Sequence, residues 1–97
     1  MHDPDNEYVL RQITLFCRKI EHYKTGQLTL NSLILDLSAL SDAISRKSWT
    51  DLVSPIINHL EEINAIALVE GRNIGPDDKA EINRLLAALE ASVRSFV

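Results

Sequence analysis

The stretch "LEEINAIALVEGR" (residues 60–72) decides the fold of this 97-residue chain. After its two glutamates it is almost entirely apolar, and it stops at Gly71, a residue suited to the left-handed conformation that ends many helices. Its apolar residues cover most of the last two turns, and a helix that is apolar nearly all round is normally buried between neighbours. We therefore expect a central helix of a helical bundle; a helix whose outer face binds a partner is the alternative.

Three other segments repeat apolar residues at steps of three and four, the spacing of one helical face. They run from about residue 4 to 24, from a cap at Thr29 to the stretch 45–48, and from 76 to 96. Asp3 is the predicted cap of the first of these segments, and Gly26 is its predicted stop. The predicted core faces are Val9, Ile13, Phe16, Ile20 and Tyr23; Leu30, Leu33, Ile34, Leu37, Leu40 and Ile44; and Ile82, Leu85, Leu86, Leu89, Val93 and Phe96.

The segment that ends with the opening stretch is the third in chain order, and it contains Pro55. A proline removes one backbone hydrogen bond from a helix and clashes with the preceding turn. Ser48 is the predicted cap, with Asp51 three residues on. The helix either kinks at Pro55 or breaks there, with Ser54 capping a second piece. Because scarce turn residues favour a few long elements joined by short connections, we predict an all-α, antiparallel four-helix bundle forming a single domain over residues 1–97. Its third helix is expected to be kinked or broken near Pro55.

Composition limits the possible functions. The net charge of −4 argues against direct binding of nucleic acid, which needs a basic surface, and is compatible with a basic protein partner. The single cysteine, Cys17, excludes an internal disulfide and suits a reducing compartment. The acidic start "MHDPDNE" (residues 1–7) is unlike a signal peptide, and no apolar run approaches the roughly 18–20 residues that span a bilayer. We predict a cytoplasmic protein that binds neither nucleic acid nor a membrane.

Residues able to do chemistry are scattered. His59 and Glu62 form only a weak pair, and Glu61 and Glu62 project about 100° apart on one helix. The chain has no nucleophile elbow, phosphate loop or dinucleotide motif. We predict no enzymatic activity, no metal and no cofactor; an enzyme or metal protein built around His59 and convergent acids is the remaining alternative of that class.

Trp49 has two interpretations, because a tryptophan at a helix start either covers the end of a bundle or anchors a partner. Packing is the interpretation that we favour. Three other large apolar residues, Tyr8, Leu15 and Leu35, are predicted to face outward, which matters only if they form a patch.

Several elements occur together between about residues 20 and 82: Tyr23 with Gly26, Asp36 inside a leucine-rich second helix, Trp49, the Leu-Glu-Glu at 60–62 and the Glu-Gly at 70–71. In this combination the chain resembles the small all-helical immunity proteins of bacterial contact-dependent growth inhibition and related polymorphic toxin systems. Pro55 departs from what that resemblance leads us to expect in the third helix.

The resemblance implies a protein that binds one cognate toxin domain, typically a nuclease, and neutralises it by stoichiometric occlusion. An acidic surface suits the basic substrate groove of such a toxin. The alternative function is a helical adaptor or regulatory subunit that self-associates through the third helix. The residues predicted to bind the partner are Asp36, Asp42, Trp49, Glu61, Glu62 and Glu70.

Overall fold

The computed structural model describes residues 4–96, with side chains from residue 6 onward, and four α-helices account for most of them. They are α1 (Pro4–Lys24), α2 (Leu30–Ile44), α3 (Lys47–Glu70) and α4 (Pro76–Phe96). No strand occurs in this range, which confirms the predicted all-α, antiparallel four-helix bundle. The predicted cap Asp3 lies outside the described residues.

Neighbouring helices pack in chain order, and α4 closes the bundle through a narrower contact with α1. Along residues 4–96, the backbone of α3 therefore borders α2 and α4 but not α1. The prediction that α3 is a central helix is wrong, because each of the four helices lies between two others. The three predicted apolar faces do belong to the core; Tyr23, Leu40 and Phe96 are the members that pack against it while only partly buried.

Trp49 lies in this core, in the first turn of α3, and is fully buried. Its ring makes edge contacts with Phe16 of α1 at 4.9 Å and with Phe96 of α4 at 5.3 Å between centroids. The indole Nε1–H donates a hydrogen bond to Ser41 Oγ of α2 at 3.1 Å. The Trp49 side chain of α3 thus contacts all three other helices, including α1, which the backbone of α3 does not border.

Two of the predicted helix ends, at Thr29 and Gly71, are confirmed, and a third, at Ser48, is wrong. Thr29 caps α2 as predicted, since its Oγ1 accepts a hydrogen bond from the backbone N–H of Ser32 at 3.1 Å. Gly71 ends α3 in the left-handed conformation with φ of 63°. The predicted cap Ser48 is wrong: α3 begins at Lys47, with Arg46 as an N-cap that makes no side-chain hydrogen bond. Asp51, the expected second member of that cap, instead pairs with Lys47.

Pro55 lies inside one continuous helix. The alternative of two helices with Ser54 as a cap is therefore wrong. The proline side chain faces solvent, so its ring costs one backbone hydrogen bond to the Asp51 carbonyl without disturbing the core.

The last two turns of α3 are buried only along their core face, contrary to the expectation from their apolar sequence. Ile66, Leu68 and Val69 are 50%, 69% and 88% exposed. Asn64 marks the side of α3 that borders α2, because it bonds Asn31 in the first turn of α2 at 3.2 Å. Ile66 and Val69 project about 160° and 140° away from that side, so they lie on the outer face of the helix. Leu68 lies one turn after Asn64 on the α2 side, where α3 projects past the start of α2 and leaves it exposed.

The connection between α3 and α4 is held by charge. The Arg72 guanidinium donates to the carboxylates of both Glu70 and Asp78, and Asp78 also accepts the backbone N–H of Gly75 at 3.3 Å. The hydrogen bond from Arg72 and then that from Gly75 lower the pKa of Asp78 below its ordinary value of 3.8. These contacts fix the start of α4 relative to the end of α3.

Truncating the central indole should be among the most damaging single changes. We expect Trp49→Ala to lower the free energy of unfolding by about 3–5 kcal/mol, because it opens a cavity at the junction of all four helices. Urea unfolding followed by far-ultraviolet circular dichroism measures this. The control Leu35→Ala, at a side chain 62% exposed, should change it by less than about 0.5 kcal/mol. Similar losses in both variants would contradict the central role of Trp49.

Pro55→Ala should stabilise the protein by roughly 1–3 kcal/mol, because alanine restores the backbone hydrogen bond to Asp51 and removes the ring. Thermal and urea unfolding report the change. Thr50→Ala, at an exposed position of the same helix, serves as the control and should gain at most about 0.7 kcal/mol from helix propensity alone. No gain at Pro55 beyond this control would indicate a proline at the first position of a separate helix.

Asp78 should make the connection sensitive to acid. Because its folded-state pKa is lowered, its contribution to stability is complete above 3.8 and is lost as pH falls through the lowered value. We expect Asp78→Asn to be less stable than the parent at pH 6, with the difference shrinking towards pH 2. The control is Asp77→Asn, a neighbouring acid in the same helical turn. Urea unfolding across this range should show the convergence for Asp78→Asn only.

Candidate partner-binding site

A shallow groove runs between α2 and α3 and brings together two of the acids predicted to bind a partner, Asp42 and Glu61. Its volume is about 100 Å³. It forms because small and polar side chains, rather than large apolar ones, flank the core faces of both helices here. The lining residues are Ser38, Ser41 and Asp42 from α2 and Ser54, Ile57, Asn58 and Glu61 from α3.

The groove is chemically suited to a single cation. Asp42 and Glu61 are both exposed acids, one from each helix. Serine hydroxyls and the Asn58 amide add hydrogen-bonding oxygens beside them. The volume corresponds to only about three water molecules, which suits the head of a lysine or arginine better than a small-molecule substrate. The arrangement can therefore recognise a cationic side chain.

Ser41 ties this groove to the core. It is a buried polar residue, its Oγ accepts the hydrogen bond from Trp49, and it lines the groove as well. The groove wall is consequently fixed by the same contact that joins the helices, and a partner meets a preorganised surface.

The other predicted acids lie elsewhere. Asp36 faces α1 and forms an ion pair with Lys19, with 3.5 Å between Nζ and Oδ2. Glu70 pairs with Arg72 at the end of α3. Glu62 is exposed on the outer side of α3, away from the groove. Asp36 and Glu70 thus have structural partners, and both are less available to another protein than Asp42 and Glu61.

Trp49 does not fit its predicted role as a partner anchor. A side chain with no exposed surface cannot contact another protein unless the bundle opens. Its position agrees with the packing interpretation, and we correct the assignment to the bundle core.

Ser38, Ser54 and Asn58 line the groove but are not among the residues predicted to bind a partner. The available signal was spacing: Ser38 lies four residues before Asp42, and Ser54 lies four before Asn58, which places each pair on one polar flank of its helix. Helix periodicity shows such flanks, but it does not show that the two flanks face each other.

Groups with potential reactivity are held in ordinary structural contacts. His59 lies 3.7 Å from Glu81, a carboxylate that also pairs with Arg84. Among the described residues, no group of three or more histidines, cysteines or acids is placed to hold a metal. Burial first, and then the carboxylates of Glu90 and Glu21, raise the pKa of the Cys17 thiol, which keeps it protonated and weakly nucleophilic.

A larger cavity of about 350 Å³ lies at the end of the bundle where α1 meets the start of α4. Lys24 at its edge already donates to Glu90 and is paired with Glu21, and burial raises the pKa of Tyr23, so the phenol stays protonated. These groups are suited to holding the bundle end together rather than to acid–base chemistry. The lining residues are Tyr23, Lys24, Gly26, Leu28, Lys79 and Asn83.

Helix α3 is long enough and apolar enough, by length and composition alone, to cross a membrane, with a mean hydropathy of 1.2 over an 18-residue window. Core helices of compact proteins commonly have the same properties, and α3 packs on α2 and α4. Glu61 and Glu62 interrupt it, and each would cost about 3 kcal/mol at the centre of a bilayer. Only 28% of the window is buried, so much of it faces solvent.

Comparisons of the chain with protein-family models, with curated proteins and with solved structures find no match. The resemblance to immunity proteins therefore stays a prediction from the sequence.

Proposed function

We propose that this chain is an immunity protein that binds and neutralises a cognate toxin domain by stoichiometric occlusion. The observation that carries the proposal is the α2/α3 groove, where Asp42 and Glu61 offer two carboxylates to one cation on a fixed surface. A nuclease is the toxin class that fits best, because its substrate groove displays lysine and arginine side chains for phosphate binding. The acids would borrow that complementarity.

The proposed mechanism needs no chemistry from this chain. A lysine or arginine of the toxin enters the groove, its aliphatic stem packs over Ile57, and its charged head lies between the two carboxylates. The net charge of −4 draws the basic toxin surface towards the protein before contact. Occupation of the toxin's basic groove then excludes its nucleic acid. We expect this to take place in the cytoplasm, without metal or cofactor.

The neighbourhood of the gene should identify the partner. The reading frame immediately upstream should encode a large secreted protein with a C-terminal toxin domain, and that domain should co-purify with this chain in a 1:1 complex. A domain that neither binds nor is neutralised would contradict the proposal.

The groove assignment has its own test. We expect the double variant Asp42→Asn/Glu61→Gln to bind the toxin domain at least about tenfold more weakly, because it removes both charges while leaving the groove's shape intact. The matched control, Asp77→Asn/Glu21→Gln, changes net charge equally at exposed acids outside the groove. Isothermal titration calorimetry at physiological salt compares the two. Equal affinities would place the binding surface elsewhere.

A second candidate function is a helical adaptor that self-associates through α3. The exposed Ile66, Leu68 and Val69 favour it, since contiguous exposed apolar residues often mark an interface. Light scattering of the isolated protein distinguishes the two functions: a stable oligomer without any partner supports the adaptor, and a monomer supports the immunity protein.

A further inference from the structure

The outer surface of the last two turns of α3 exposes apolar side chains and adjoins the α2/α3 groove at Glu61. We name it the α3 terminal patch and define it by Ala65, Ile66 and Val69. All three residues are exposed. Ala65, Ile66 and Val69 also line a depression of about 260 Å³ together with Glu70. Positions 65, 66 and 69 share one helical face, so the apolar surface is continuous rather than scattered.

The border of the patch is acidic. Glu62 lies one turn before Ile66 on the same face, Glu61 adjoins it, and Glu70 closes the far end. Arg72 is the nearby basic residue, and it is already paired with Glu70 and Asp78. The patch therefore presents an apolar centre with a negative border.

A second copy of this chain fits that border poorly. Two patches facing each other would bring glutamates towards glutamates, between molecules that each carry a net charge of −4. The exposed apolar area is also on the order of a few hundred Å², below the roughly 800 Å² per partner of a stable interface. An anionic lipid surface meets the same electrostatic opposition.

A basic amphipathic helix fits both features. Its apolar residues, spaced three and four apart, would cover Ala65, Ile66 and Val69, and lysines or arginines on its flanks would meet Glu61 and Glu62. We infer that the α3 terminal patch docks an amphipathic, basic-flanked helix of the partner protein. This inference rests on the proposed function, because it adds a second contact with the same toxin, beside the one at the groove.

The direct test uses a designed helical peptide as the probe, with a leucine stripe flanked by lysines, and a counterpart in which glutamates replace the lysines. Fluorescence anisotropy with the full-length protein should show that the lysine peptide binds at least about tenfold more tightly than the glutamate peptide. Raising the salt concentration should weaken the lysine peptide. Equal binding of the two peptides would overturn the inference.

Variants locate the contact. Ile66→Ser/Val69→Ser should weaken the lysine peptide at least about tenfold, and circular dichroism should show an intact fold, because both side chains are exposed. Leu10→Ser/Leu15→Ser is the matched control, since these leucines are exposed on α1, which α3 does not border in the described bundle. Equal weakening by both variants, or none by the first, would overturn the inference.

Two further measurements test whether a second copy of this chain or an anionic lipid surface occupies the α3 terminal patch instead. Sedimentation velocity that shows a dimer abolished by Ile66→Ser/Val69→Ser would assign the patch to a second copy and overturn the inference. Flotation with anionic vesicles, lost in the same variant, would assign it to a lipid surface and also overturn it. A monomer that ignores vesicles supports the peptide assignment.

Failure of this inference is distinguishable from failure of the proposed function. If the toxin domain binds but the patch variant binds it as tightly as the parent does, and the lysine peptide does not bind, the patch assignment alone is wrong. If the toxin domain does not bind while the lysine peptide binds at the patch, the immunity function is wrong and the docking surface stands.

Discussion

The bundle depends on the placement of one indole. Trp49 contacts Phe16 of α1 and Phe96 of α4 through ring edges, and it donates its hydrogen bond to Ser41 of α2. A ring edge directed at a ring face is a favoured aromatic geometry, and a buried indole N–H needs an acceptor. Both requirements are met at once, so the four helices have one preferred arrangement around this residue. The serine that satisfies the indole also lines the α2/α3 groove, which links core packing to the surface that we propose for recognition.

Most of the fold could be predicted because helical periodicity identifies faces. The buried residues Val9, Leu37 and Leu86 all lie where the three- and four-residue spacing placed them. What periodicity lacks is the length and position of the neighbouring helices. The apolar turns that end α3 are predicted to be buried, yet Ile66 and Val69 lie on the outer face of the helix and Leu68 lies beyond the start of α2. The predicted cap at Ser48 is wrong for a similar reason. The serine motif does not show where the preceding turn ends, and α3 begins at Lys47, one residue earlier.

The candidate site was predictable in its chemistry but not in its geometry. The negative net charge of the chain is the reason for predicting that acids bind the partner. The structure distinguishes these acids by the residues around them. Asp36 faces a lysine on α1, whereas Asp42 and Glu61 converge on a groove. That convergence depends on the antiparallel register of α2 and α3, which the Asn31–Asn64 hydrogen bond marks and a single sequence does not reveal. Trp49 was ambiguous because its residue type is favoured both in cores and in interfaces.

Both proposed recognition surfaces lie on α3, and the direction of its side chains explains why they differ. Where α2 and α3 run side by side, their polar flanks form the groove that we propose for a single cation. Ile66 and Val69 project away from the side of α3 that borders α2, so they remain exposed between glutamates whatever the length of α2. In the proposed function, the α3 terminal patch would add apolar contact area that the charged groove lacks. The acids of the groove and of the patch border would then direct both surfaces at a basic partner.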